Sequence, residues 1–188
     1  MGAANELAAW IRAEYAGTEP LTHLKLQKLV FYGYGACLAH GREGDLGGEI
    51  VFRPWKHGPV NHEVWSTYRA YAGKPIPPPD HDDPVPRYAS DATTHLRDAL
   101  VVYGALTAWN LRQESHLEAP WIRAFGQKEE RIPHEELRTH FERKFRSGHV
   151  QFPEHLVHTS SFNLDRIPTL GFPTLHELAQ ALARVGRS

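Results

Sequence analysis

Between Thr22 and His40 the chain reads THLKLQKLVFYGYGACLAH, and this run limits the fold more than any other. Thr22 is placed to cap a helix by accepting a bond from a backbone N–H of the first turn. Leu26, Leu29, Val30, Gly33 and Cys37 recur at helical spacing, so a helix with one apolar stripe is expected. Lys25, Lys28 and Tyr32 fall on other faces. Gly33 and Gly35 each cost a helix roughly 1 kcal/mol relative to alanine. A helix that carries both is expected to need them for close approach of a neighbouring element.

The same segment continues as loop, strand, turn and helix to Tyr71. GREGDLGG is turn-rich and polar. Glu49–Trp55 is β-branched and aromatic and reads as a short strand, with Pro54 marking an edge or an end. Lys56-His57-Gly58-Pro59 reads as a turn in which Gly58 supplies a positive φ and Pro59 opens the next helix. Val64, Trp65 and Tyr68 line one side of that helix. Trp55 and Trp65 are expected in the core, against the Leu26–Leu29 face.

The order and spacing of these residues carry a resemblance. Leu24–Gly35 (LKLQKLVFYGYG), then Trp55-x-x-Gly58-Pro59-Val60-x-x-Glu63-Val64-Trp65-x-x-Tyr68, resembles the Panacea domain, an antitoxin module related to phage GepA and to SocA. The pattern has tyrosine where this chain has Trp65. A later element of the family, near S/T-H-x-E-x-P-W, stands here as Ser115-His116-Leu117-Glu118-Ala119-Pro120-Trp121. The resemblance covers about Asn5 to Phe125. The residues that carry it include Leu26, Gln27, Leu29, Trp55, Gly58, Pro59, Val60, Glu63, Trp65, His116, Glu118, Pro120 and Trp121.

It implies an antitoxin that neutralises a cognate protein toxin by direct binding. For the SocA-like subset it further implies a proteolytic adaptor that delivers the toxin to the ClpXP protease of a bacterial cell. No cofactor and no metal are implied.

Composition agrees with such a protein without identifying it. At 188 residues the chain can build one ordinary domain, and its formal charge of −1 provides no global attraction to nucleic acid or to an anionic membrane. A single cysteine excludes an internal disulfide framework and a cysteine-based zinc cluster. No apolar run approaches the roughly 20 residues of a membrane span, and no signal peptide is visible, so a cytoplasmic protein is expected.

Elsewhere, Asn5–Tyr15 is an amphipathic helix with Leu7, Trp10 and Ile11 inward and Gly17 closing it; Glu19-Pro20 forces an extended link to the next helix. Gly73–Pro86 is proline-rich and reads as a rigid surface connector, with His81, Asp82 and Asp83 solvated. Ser90 or Asp91 caps a helix reaching about Thr107, with Leu96, Leu100, Tyr103, Gly104 and Leu106 buried. Thr107 caps another through Arg112, and Ser115–Trp121 follows as a polar turn with Pro120 in the first turn of a helix to Phe125. Gly126–Arg131 reads as a charged linker.

From Pro133 a helix runs to Phe145, with Leu137, Phe141 and Phe145 inward and Arg138, Arg143, Lys144 and Arg146 as a stabilising basic end. Short strands are expected at His149–Phe152 and Leu156–His158, one of them a candidate to pair with Glu49–Trp55. A last helix is announced by the Thr174–Glu177 capping box and the inward stripe Leu175, Leu178, Leu182 and Val185.

The fold expected is mainly α with a small β-hairpin or two-stranded sheet: a Panacea-like domain over residues 5–125 and a C-terminal helical extension over 126–188 packed on it. Partner contacts are assigned to Lys25, Lys28, Tyr32, His57, Asn61 and Arg69, with the segment from Pro133 onward as the alternative surface. Two other functions compete. One is a metal-dependent hydrolase using His116, Glu118 and a distant histidine; the other is a DNA-binding regulator using Arg138–Arg146. The missing HExxH spacing, nucleophile elbow and phosphate loop, together with the neutral charge, weigh against both.

Overall fold

A computed structural model describes residues 2–16 and 20–145. Seven helices occur among them: α1 (Ala3–Glu14), α2 (His23–Ala39), α3 (His62–Tyr68), α4 (Ser90–Gly104), α5 (Ala108–Leu117), α6 (Ala119–Gly126) and α7 (His134–Lys144). The sheet is a two-stranded antiparallel hairpin, β1 (Arg53–Trp55) and β2 (Gly58–Val60). Gly17, Glu19, Arg146, the strands expected at 149–152 and 156–158, and the helix expected from Thr174 lie outside the described residues.

Helix α2 is the axis on which the rest is packed. It touches α1, α3, α4, α5, α7 and β2. Thr22 caps it as expected, its hydroxyl accepting from the Lys25 backbone N–H at 3.3 Å. The expected single stripe is wrong, however: every residue from Lys25 to Leu38 is buried. A helix enclosed by neighbours on all sides has no solvent face.

The two glycines work as close-approach positions. A methyl group on Gly33 would stand 3.2 Å from Leu96 of α4, and one on Gly35 would overlap the ring of Phe141 on α7. Gly35→Ala is therefore expected to cost about 1–3 kcal/mol through overpacking. Measuring unfolding free energy by urea checks it, and an unchanged midpoint contradicts it.

The contact with Phe141 also places α7. Leu137, Phe141 and Phe145 are all buried, and Phe141 packs edge-on against Phe31 at 5.3 Å. Residues 134–145 thus complete the same core as the preceding chain, and no boundary near residue 125 separates them. Within the segment from Pro133 to Phe145, Leu137, Phe141 and Phe145 are therefore core residues, as expected.

In the hairpin, Arg53 faces Val60, Pro54 faces Pro59 and Trp55 faces Gly58. The two prolines sit opposite each other in the pair that needs no N–H donor, because antiparallel pairs alternate between bonded and unbonded. Pro59 therefore belongs to β2 and does not open α3. The helix begins after Asn61, whose side-chain oxygen accepts from Val64 N–H at 3.0 Å. Gly58 does have the positive φ expected of it, 92°. The strand expected from Glu49 narrows to Arg53–Trp55.

Two other boundaries move. Neither Ser90 nor Asp91 caps α4, which starts after Ala89 without a side-chain cap and ends at Gly104. Thr107 does cap α5, through Asn110 N–H at 3.1 Å, but α5 continues to Leu117, so Ser115–Leu117 are helical and not a polar turn. The break falls at Glu118, and Pro120 stands in the first turn of α6 as expected.

The proline segment is pinned at its start by Ile76 N–H donating to Leu21 C=O at 2.7 Å. Farther along, Arg12 of α1 donates to Pro77 C=O at 3.0 Å.

Candidate functional site

The polar residues of α2 are tethers to distant elements. Lys25 donates from Nζ to Gly104 C=O at 2.8 Å, and Tyr15 donates its hydroxyl to the same oxygen at 2.8 Å. A positive charge at a helix C-terminus meets the negative end of the dipole, so Lys25 caps α4 from the side. Gln27 makes a matched pair with Asn61: its amide N–H donates to Asn61 C=O at 3.1 Å and its oxygen accepts Asn61 N–H at 3.0 Å. Asn61 also donates to Val51 C=O at 2.9 Å, which fixes the hairpin against α3.

Lys28 donates to Pro59 C=O at 2.9 Å and is fully buried. Burial, helped by nearby Arg112, lowers its pKa from the usual lysine value to about 7.

Tyr32 leads to the largest buried polar cluster. Its ring stacks on Tyr103 at 3.7 Å, and its hydroxyl donates to Glu118 at 2.9 Å. Glu118, only 3% exposed, also accepts from His140 at 2.6 Å and from Lys144 at 2.5 Å. Burial alone would raise the Glu118 pKa, but the bonds from His140 and Lys144 prevail and hold it below the usual carboxylate value. For the buried Tyr32 phenol, desolvation first and Glu118 second push the pKa well up.

The placement of Lys25, Lys28, Tyr32 and Asn61 on a solvated partner-binding face is therefore corrected: all four are buried. His57 and Arg69 are exposed as expected. Trp55 and Trp65 are half-buried and not core; they pack edge to face at 5.4 Å at the surface. Trp121 is the buried tryptophan of this region, 8% exposed, and its indole N–H donates to Trp55 C=O at 3.1 Å. Trp121→Ala is expected to cost about 3–5 kcal/mol, the usual range for a buried large aromatic, and Trp55→Ala clearly less. Chemical denaturation of both variants ranks them, and equal losses contradict the placement.

His116 stacks on Trp121 with ring centres 4.3 Å apart, as expected for a structural histidine. Its pKa is lowered by burial and then by Arg112, Lys28 and His57. No hydrogen bond joins it to Glu118, which turns to Tyr32, His140 and Lys144. Among the described residues no group of three or more His, Cys, Asp or Glu side chains converges as a metal site. Burial pushes the Cys37 thiol up to about 12, which removes it as a nucleophile near neutral pH.

The basic end of α7 is divided between ion pairs, Arg138 with Glu43 and Lys144 with Glu118. No described helix is long and apolar enough to cross a membrane.

What faces outward is aromatic and apolar. On α5 and α6, Trp109, Leu117, Ile122 and Phe125 are 60%, 65%, 51% and 43% exposed. Sequence reasoning missed His140, Lys144 and Tyr103 as partners of the Glu118–Tyr32 pair, and Trp109 as a surface residue. His140 and Lys144 are four apart on α7, a spacing that puts them on one face and was the signal available. Comparison with known proteins returns no matching protein family, no matching curated protein and no matching solved structure.

Proposed function

We propose that the chain is an antitoxin of the Panacea type, which neutralises a small protein toxin by stoichiometric binding. It acts in the bacterial cytoplasm as a non-enzymatic binding protein, and, in the manner implied for the SocA-like subset, hands the toxin to ClpXP. The observation that supports this reading best is the division of labour in the structure. The motif residues of α2 are consumed as internal tethers, whereas large apolar side chains stand on the outside of α5 and α6. Trp109, Leu117, Ile122 and Phe125 on two successive helices offer a protein partner apolar area to cover.

The test begins with the neighbouring reading frames: one that encodes a small growth-inhibiting protein is co-expressed with this chain. Growth rescue and a one-to-one complex on purification are expected, and toxin levels should fall only where ClpXP is active. Absence of both binding and rescue overturns the antitoxin reading. Rescue at constant toxin level in the presence of ClpXP removes the adaptor step alone.

A further inference from the structure

The hairpin tip joins two tryptophans that each carry an arginine. On one flank the Arg69 guanidinium lies over the Trp65 ring, 5.1 Å from its centre. On the other, Arg112 lies over Trp109 at 4.9 Å. The two flanks are linked by contacts across the tip: Trp65 packs on Trp55, and Arg112 donates from Nε to His57 Nδ1 at 3.2 Å. Lys56 stands exposed between Trp55 and His57.

Five other arginines are spent on carboxylates, Arg12 on Asp83, Arg42 on Asp91, Arg97 on Glu14, Arg123 on Glu129 and Arg138 on Glu43, whereas Arg69 and Arg112 are stacked on indole rings. Among the described residues no carboxylate hydrogen-bonds or ion-pairs with Arg69, Arg112 or Lys56. Behind the tip, burial and then the nearby Arg112 lower the pKa values of Lys28 and His116, so the fixed positive charge of the tip is that of Arg69, Arg112 and Lys56. The result is a positive, aromatic ribbon with no anion of its own.

We propose that this ribbon, Arg69–Trp65–Trp55–His57–Arg112–Trp109, docks an acidic and partly apolar segment of the partner protein. Carboxylates of that segment meet the two guanidinium groups, and its apolar side chains cover the two tryptophans. This rests on the reading of the chain as a protein-binding module and names the chemistry its partner must present.

Stacking holds each arginine in place before binding, so less side-chain entropy is lost when a carboxylate arrives. Tryptophan and arginine are also the residues that most often dominate binding energy. A single nucleic-acid strand is the competing occupant of any cationic aromatic stripe. It is disfavoured because a net charge of −1 provides no long-range attraction for phosphates.

The experiment uses the purified full chain and fluorescence anisotropy with three labelled probes. They are a short peptide with glutamates and leucines at helical spacing, its glutamine counterpart, and oligothymidine. Saturable binding of the acidic peptide is expected, weakened about tenfold or more by the glutamine exchange and by either Arg69→Glu or Arg112→Glu, with circular dichroism unchanged. No binding of the acidic peptide, equal binding by Arg112→Glu, or preference for oligothymidine overturns the proposal. So does self-association that Arg112→Glu abolishes, which assigns the ribbon to a second copy.

The co-expression assay separates this inference from the antitoxin reading. Full rescue by the Arg69→Glu/Arg112→Glu double variant overturns the ribbon and leaves the antitoxin. Peptide binding at the ribbon with no rescue by the wild type overturns the antitoxin and leaves the ribbon.

Discussion

Replacing Glu118 by alanine is expected to lower the unfolding free energy by about 3–5 kcal/mol, the range for removing one partner of a buried charge pair. The substitution leaves the buried Tyr32 hydroxyl without its acceptor and strands His140 and Lys144 on α7. Urea unfolding at neutral pH measures it, and a loss below about 1 kcal/mol would mean that the cluster is no stronger than a surface ion pair. The pH dependence has a definite sign. The folded pKa of Glu118 lies below the unfolded value. Its contribution is thus complete above the ordinary glutamate pKa and is lost as pH falls through the folded one. The Glu118→Ala variant should accordingly show a shallower loss of stability on acidification than the wild type.

Lys28→Met is expected to do the opposite and stabilise the chain. Lys28 is fully buried with one carbonyl as partner, and its pKa falls to about 7. Between that value and the ordinary lysine value the unfolded chain binds more protons than the folded one, so stability from this group rises with pH across the window. Below about pH 7 the full cost of burying the ammonium is present. Methionine has similar length and no charge, so the gain at pH 6 should be about 1–4 kcal/mol, shrinking toward pH 10. Paired urea titrations at the two pH values check it. A gain that is equal at both, or a loss at pH 6, would mean that the bond to Pro59 outweighs the burial of charge.

The parts of the fold legible in the sequence are those governed by nearby residues. Thr22 and Thr107 announce the starts of α2 and α5, because a cap bonds three residues ahead. The α7 stripe was readable because that helix has one buried face, and Leu7, Trp10 and Ile11 of α1 are buried as expected, together with Ala8 and Ala9 between them. Gly33 and Gly35 were readable as contact points because a helix accepts glycine at a cost.

What was not legible depends on groups far along the chain. Lys25 and Lys28 read as surface residues, since periodicity counts lysine as polar and cannot see the carbonyls of Gly104 and Pro59 that receive them. Pro59 read as a helix opener because its tolerated positions include both a first helical turn and an unbonded strand pair; Pro54 across the hairpin decides between them. Trp55 and Trp65 read as core, Trp65 from its place beside Val64 and Tyr68, but Trp55 ends the half-exposed strand β1 and Trp65 packs on it at the surface, while the buried strand of the hairpin is β2.

Because α2 is enclosed on every side, the pattern from Thr22 to Gly35 describes how the scaffold closes and not what it recognises. Two chains that share those letters share an interior. Their outer surfaces remain free to diverge, since a change at Trp109 or Arg69 disturbs none of the tethers inside. The helix motif therefore reports on the frame alone. What can vary without disturbing that frame is carried by the exposed letters of the hairpin tip and of the outward sides of α5 and α6.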